Sequence, residues 1–147
     1  FGPSPHGRSW GDTPWDEAYR LPGSRELGLG KELLEGYRWW MFEPHPEWVE
    51  PHWGEGDYFE PYAAGIPREV RVIYVPWHGQ ASWNWFTVKE IEQDINYHAF
   101  YFDPRTGKRS DPIEVFPDQS RKWRPPLARL LQDWVLVMEA RSQAFLK

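Results

Sequence analysis

The residues best suited to chemistry are aromatic and polar side chains grouped in the middle of the chain. Trp77, Trp83 and Trp85 lie close together, with His78 and Asn84 between them. Flat indole rings stack on the faces of sugars, and imidazole and amide groups hydrogen-bond to hydroxyls. One interpretation of the cluster is therefore a carbohydrate-binding surface around Trp77 to Trp85. The alternative is that one or two of these rings belong to the core while the others shield a loop or a domain interface.

A second group of side chains has the composition of a metal site but not its spacing. His45, Glu47, Glu50 and His52 are near neighbours in the sequence. Prolines intervene, and the i, i+4 spacing that would place two ligands on one helix face is absent. We therefore predict no metal site and no cofactor.

Asp12, Asp16 and Glu17 resemble the carboxylate pair of a hydrolase only in composition. Each lies at the start of a predicted helix, where a side-chain cap and the helix dipole favour acidic residues. We predict no catalytic residue among them.

The overall composition indicates a globular protein and excludes several classes of partner. The 147 residues include eleven Trp and fifteen Pro, which suits short strands and ordered loops better than a helical bundle. The net charge is −5 with no basic stripe, so nucleic acid is not expected as a partner. No segment approaches the roughly 20 apolar residues of a membrane span. The absence of Cys excludes disulfides and leaves the compartment open, with a secreted or periplasmic parent protein as one interpretation.

Two helical segments are predicted near the start of the chain. A short helix begins at Pro14 and stops before Pro22, and a second runs from Ser24 to an end signal at Gly36. The second helix carries one predicted apolar stripe, formed by Leu27, Leu33, Leu34 and Tyr37. Because two such helices cannot bury an apolar stripe between themselves, they need a partner surface.

The remainder of the chain has the pattern of a small antiparallel β-sandwich. Residues 43–51 contain three prolines and are predicted to be an extended connector. Alternation places Val70, Val72 and Tyr74 on one face of a strand, and Asp103 to Gly107 suit a bulged hairpin turn. The predicted strands are 69–75, 85–88, 97–102, 108–115 and 133–138. The predicted fold class is therefore mainly β.

Several of these segments together resemble the C-terminal part of the apiosidase-like glycoside hydrolases. The resemblance rests on Trp15 to Gly23, on Tyr101 to Gly107, on Pro125-Pro126, and on Asp133 to Val137, in that order. It implies that residues 1–40 are the last loop and helices of a (β/α)8 barrel. Residues 41–147 would then be the β-sandwich accessory domain that is labelled collagen-binding in this family, although no residue here supports collagen as a ligand.

The resemblance also implies how the function is divided. The chain begins at Phe1, and the two carboxylates of a retaining glycosidase would lie upstream, on the missing barrel. This chain would then be non-catalytic, and its β domain would brace the barrel, with Trp39 and Trp40 packed at the junction. His6 and Trp10 are candidate sugar-binding residues, because loops after barrel strands form the active-site face. The alternative function is a carbohydrate-binding module that uses Trp77, Trp83 and Trp85.

Overall fold

The computed structural model describes residues 14–77, 86–128 and 132–141, and within these ranges β-strands predominate. The helices are α1 (Trp15–Ala18) and α2 (Pro22–Glu35), followed by 3-10 helices at Trp39–Met41 and Pro46–Trp48. The strands are β1 (Glu43–Pro44), β2 (Val49–Glu50), β3 (Tyr62–Ile66), β4 (Val70–Val75), β5 (Thr87–Val88), β6 (Tyr97–Phe102), β7 (Ile113–Glu114) and β8 (Trp134–Ala140). None of the helices in these ranges is long and apolar enough to cross a membrane.

The strands form a six-stranded antiparallel sheet in the order β1-β3-β4-β8-β6-β7 and a two-stranded sheet of β2 and β5. The last strand, β8, is central and pairs with both β4 and β6. Its apolar sequence, from Trp134 to Met138, is typical of a strand that is covered on both faces. The architecture confirms the predicted small, mainly antiparallel β-sandwich-like domain.

One face of the large sheet is closed by the small sheet and the loops around it. The core between the two sheets contains Ile73, Leu136 and Met138 of the large sheet and Val49 and Val88 of the small sheet. All five side chains are fully buried. Because side chains alternate between the two faces along β4 and β8, every second residue of these strands points into this core.

The opposite face of the sheet is covered by α2. Leu33 packs with Val70, Phe100, Phe102 and Val137, with Leu29, Tyr37 and Val72 at the margin. The partner surface that α2 needs is thus supplied by the sheet of the same chain. Val70 and Val72 share this face, as the alternation predicted.

The prediction of a single apolar stripe on α2 is wrong, because the leucines of the helix lie on two different sides of it. At about 100° per residue, Leu27 and Leu34 lie about 20° apart, whereas Leu33 is about 120° from Leu27. Leu33 is buried against the sheet, while Leu27 is 76% exposed. The helix also begins two residues earlier than predicted, at Pro22, since proline fits the first helical turn.

The hairpin after β6 has the predicted turn but a shorter return strand. Gly107 has φ 74° and its amide donates to the Asp103 carbonyl, as expected for a bulged turn. The return strand was predicted over 108–115, but only two parts of it pair with β6. Arg109 forms an isolated bridge with Phe102, and Ile113–Glu114 form β7. The turn was predictable from Asp-Pro and Gly, but the length of pairing depends on the neighbouring strands.

Candidate functional site

Three side chains meet where β4 ends beside the start of β8. Val75 pairs with Trp134, which brings Asp133 next to the residues that follow β4. The Asp133 carboxylate accepts a hydrogen bond from the Tyr74 hydroxyl and another from the Trp77 amide, both at 2.7 Å. Burial and the bond to Asp133 raise the pKa of Tyr74, so its hydroxyl remains a donor. The carboxylate is thereby fixed at the surface in one orientation.

A row of aromatic rings extends from this point across the neighbouring strand. Tyr62 lies opposite Tyr74 in the β3–β4 register, with ring centroids 6.0 Å apart. Trp53 stacks on Tyr62 at 5.6 Å, and Tyr58 is tilted against Trp53 at 6.4 Å. Each of these rings is partly open to solvent. We call Trp53, Tyr58, Phe59, Tyr62, Tyr74 and Trp77 the aromatic row.

Two cavities adjoin the aromatic row and share Tyr74, Trp77 and Asp133. The smaller, of about 370 Å³, is lined by Tyr58, Phe59, Tyr62 and Pro76 in addition to the shared residues. The larger, of about 930 Å³, runs between the row and α2, where Leu27, Gly30 and Leu34 line it together with Trp39. Both volumes lie within the range of small-molecule binding clefts, which is roughly 300–1,000 Å³.

Of the site residues predicted from the sequence, the structure describes only Trp77. Its ring is 44% exposed and belongs to the aromatic row. His6, Trp10, Trp83 and Trp85 lie outside the described residues. Their predicted roles in sugar binding therefore stay predictions.

Sequence reasoning did not find Tyr58, Tyr62 or Asp133. The strand that carries Tyr62 reads Tyr-Ala-Ala-Gly-Ile, and its small residues give a weak strand signal. Asp133 lies at the start of a predicted buried strand, and its hydrogen bonds with Tyr74 and Trp77 cannot be inferred from the sequence. The exposed Tyr74 among valines was the available signal, because a polar-tipped ring often marks where burial ends.

Four of the described carboxyl groups have the properties of structural residues. Burial raises the pKa of Glu47, Glu92 and Asp103, but hydrogen bonds from neighbouring donors outweigh it and each pKa is lowered. The hydrogen bond from Arg68 lowers the pKa of Asp94. A glycosidase general acid needs the opposite shift, upward toward neutral pH.

Arg71 is the one charged side chain that is fully buried among the described residues. Its guanidinium donates to the carbonyls of Lys89 and Glu90, at 2.8 and 2.7 Å, and to the Glu92 carboxylate at 2.7 Å. It also lies over the Trp48 ring, 4.2 Å from the centroid. Glu92 accepts a further hydrogen bond from Tyr97. This cluster ties β4 to the segment after β5, which is a structural role.

The two histidines considered for a metal site do not converge. His45 stacks on Trp48 and its Nδ1 lies 2.7 Å from a Glu47 oxygen, whereas His52 bonds to the Trp53 carbonyl. Within the described part of the chain, no group of three or more His, Asp or Glu residues is placed to hold a metal ion.

A second exposed apolar area lies on the outer side of α2 and on the turn after it. Trp39 and Trp40 are 50% and 67% exposed and pack edge to face, with centroids 6.3 Å apart. Leu21, Leu27, Leu34 and Met41 are also exposed. We call Leu21, Leu27, Leu34, Trp39, Trp40 and Met41 the helix-side surface. Trp39 and Trp40 were predicted to pack at a junction with a barrel, and that packing stays a prediction.

Comparison with solved structures finds the same fold in longer proteins. A structure described as a glycoside hydrolase superimposes on 95% of this chain, with a TM-score of 0.65 and 18% identity. A glycoside hydrolase family 5 protein from Bacteroides vulgatus superimposes on 93% of it, with a TM-score of 0.63 and 17% identity. The chain spans only 30% and 29% of the lengths of these two structures. No protein-family model and no curated protein matches the sequence. The fold is therefore that of one part of glycoside hydrolase structures, and the apiosidase-like resemblance stays a prediction.

Proposed function

We propose that this chain is a non-catalytic accessory part of a glycoside hydrolase, whose β domain braces the catalytic barrel. The observation that carries the proposal is the division of α2 into two apolar sides. Leu33 is buried against the sheet, while Leu27 and Leu34 lie on another side of the helix and line the larger cavity. A helix with an apolar second side is typical of one that lies between two packed bodies.

The helix-side surface also has the composition of a protein interface. Tryptophan and methionine are enriched in the buried centres of interfaces, and Trp39, Trp40 and Met41 are exposed together here. Gly23 and Gly30 line the cavity beside Leu27, and a Cβ atom at either would meet no atom within 4 Å. Small residues on this side leave room for close approach by a second body.

The similarity to glycoside hydrolase structures gives the class of that second body. Both solved structures are more than three times as long as the matched region. We infer that residues 14–40 form the end of a barrel and that the barrel supplies the two catalytic carboxylates. A carbohydrate-binding role would use the aromatic row, which borders the helix-side surface at the larger cavity.

The direct test is the coding sequence upstream of the Phe1 codon. An in-frame segment encoding alternating strands and helices, with Asp or Glu at the ends of two strands, would support the proposal. A start codon immediately upstream of Phe1 would contradict it.

The docking itself is tested in the longer protein by charge substitution on the helix-side surface. We expect Leu27→Asp and Trp40→Asp to lower its melting temperature and to open the junction to limited proteolysis. Phe116→Asp is the matched control, because Phe116 is 77% exposed but lies beyond β7. Equal effects of all three substitutions would contradict docking at this surface.

A further inference from the structure

The smaller cavity beside the aromatic row has the composition of a sugar-binding cleft. Its walls are the rings of Tyr58, Phe59, Tyr62, Tyr74 and Trp77. Sugar rings present apolar C–H faces, and aromatic side chains bind such faces while adding little conformational entropy cost. A cleft with five aromatic residues is unusual for an ordinary surface, which exposes large rings singly.

The polar groups that line the cleft suit hydroxyl ligands. Asp133 uses one hydrogen bond on each carboxylate oxygen, from Tyr74 and from Trp77. A carboxylate has about four acceptor positions, so each oxygen can accept one more bond from a sugar hydroxyl. The Tyr74 oxygen donates to Asp133 and can itself accept a hydrogen bond.

The charge of the cleft indicates a neutral ligand. Among the described residues that line it, Asp133 is the one formally charged side chain. An anionic ligand would be repelled by this carboxylate, and the described cations nearest to it, Lys31 and Arg105, line the larger cavity instead. Uronic acids, phosphates and nucleic acids therefore do not fit the site.

The ring geometry indicates a single chain and not a flat solid surface. Tyr62 is tilted by 54° to Tyr74, and Tyr58 is tilted by 54° to Trp53. Rings inclined in this way make the walls of a groove, whereas binding to a crystalline polysaccharide needs coplanar rings.

We propose that this cleft binds one chain of a soluble, neutral polysaccharide through Tyr58, Trp77 and Asp133. The proposal goes beyond the bracing function and uses a different set of contacts from the helix-side surface.

The test is affinity electrophoresis of the 147-residue chain in gels that contain soluble xylan, mixed-linkage β-glucan, arabinan or galactomannan. We expect at least one of these neutral polymers to retard the chain. Isothermal titration with an oligosaccharide of the retarding polymer then gives the dissociation constant. Tyr58→Ala and Trp77→Ala should each weaken binding about tenfold, which corresponds to about 1.4 kcal/mol.

Matched variants distinguish this site from the alternatives. Asp133→Asn should weaken binding while keeping the shape of the cleft, and Phe116→Ala should leave it unchanged. Trp40→Asp should also leave it unchanged, because Trp40 lines neither cavity, so that a failure of docking and a failure of glycan binding are separable. Circular dichroism confirms that each variant is folded.

Four results would overturn the proposal. The first is that no neutral polymer retards the chain, and the second is that it binds only insoluble cellulose or polygalacturonate. The third is an unchanged affinity in both Tyr58→Ala and Trp77→Ala. The fourth is that a segment of the longer protein covers Tyr58 and Trp77 and so blocks the cleft.

Discussion

The two faces of the six-stranded sheet are covered to different extents. On one face, the small sheet and its loops close over Ile73, Leu136 and Met138, and they enclose the charged side chain of Arg71. On the other face, α2 covers Val70, Phe100 and Val137 but does not reach Tyr62 and Tyr74. The first face keeps its polar groups from solvent, and the second leaves rings and the Asp133 carboxylate open to it.

The comparison separates polar groups that stabilise the fold from polar groups that can bind a ligand. Arg71 donates to two carbonyls and one carboxylate inside the protein, and its ring neighbours shield it from water. Within the described residues, Asp133 accepts hydrogen bonds from Tyr74 and Trp77 beside its own cleft, and it is partly open to solvent. Both are charged and well ordered, but only Asp133 has hydrogen-bonding capacity directed outward.

The largest expected effect comes from breaking the closed face at Arg71. Arg71→Ala removes three hydrogen bonds and leaves Glu92 without its buried cationic partner, so we expect the free energy of unfolding to fall by about 3–5 kcal/mol. Urea denaturation measures the change. Arg105→Ala, on an exposed turn, is the control and should change it by less than about 0.5 kcal/mol. A loss below about 1 kcal/mol at Arg71 would mean that the closed face does not depend on this cluster.

A smaller effect is expected on the helix-covered face. Leu33→Ala removes the only α2 side chain that is fully buried in the described structure, and we expect a loss of about 2–4 kcal/mol. Leu27→Ala removes the same atoms from the exposed side of the helix and should change the free energy of unfolding by less than about 0.5 kcal/mol. Equal losses at the two positions would show that α2 has a different rotation about its axis.

The strands and turns could be predicted from the sequence more fully than the residues that meet on either face of the sheet. Alternation in β4 gave the shared face of Val70 and Val72, and the Asp-Pro and Gly107 signals gave the hairpin. The burial of Arg71 was not predictable, because it depends on carbonyls that come from a distant segment around Lys89.

The aromatic row was missed for a related reason. Tyr62 and Tyr74 meet through the β3–β4 register, and Asp133 joins them through the β4–β8 register. The sequence names each residue, but only the pairing of strands brings them together. Trp77 was found because aromatic clustering along the chain was enough to single it out.

The ion pair in the closed face also predicts a pH dependence. Hydrogen bonds from Tyr97 and Arg71 overcome the effect of burial and lower the pKa of Glu92. A lowered pKa in the folded state adds stability above the unfolded value of about 4.3, and this stability is lost as the pH falls through the folded pKa. Glu92→Gln lacks this contribution, so we expect it to be less stable by about 1–2 kcal/mol at pH 7. The difference should shrink in urea titrations below about pH 4.

A control substitution distinguishes this group from general acid sensitivity. Glu55→Gln makes the same substitution at an exposed carboxyl and should change the free energy of unfolding at pH 7 by less than about 0.5 kcal/mol. A constant difference between the wild type and Glu92→Gln from pH 7 to pH 3 would contradict the assigned role of Glu92.

The smallest expected effect separates the isolated chain from its docked form. Gly30 lies in α2 on the side of Leu27 and Leu34, where a Cβ would meet no atom within 4 Å. Gly30→Ala should therefore raise the free energy of unfolding of this chain by about 0.5–1 kcal/mol through helix propensity. In the longer protein the added methyl group would occupy the space needed by the barrel, so the gain should vanish or reverse. Gly28→Ala is the matched control, because Gly28 does not line that cavity, and it should stabilise both forms. If Gly30→Ala stabilises both forms equally, no protein partner packs against Gly30, and the helix-side surface is not the docking surface.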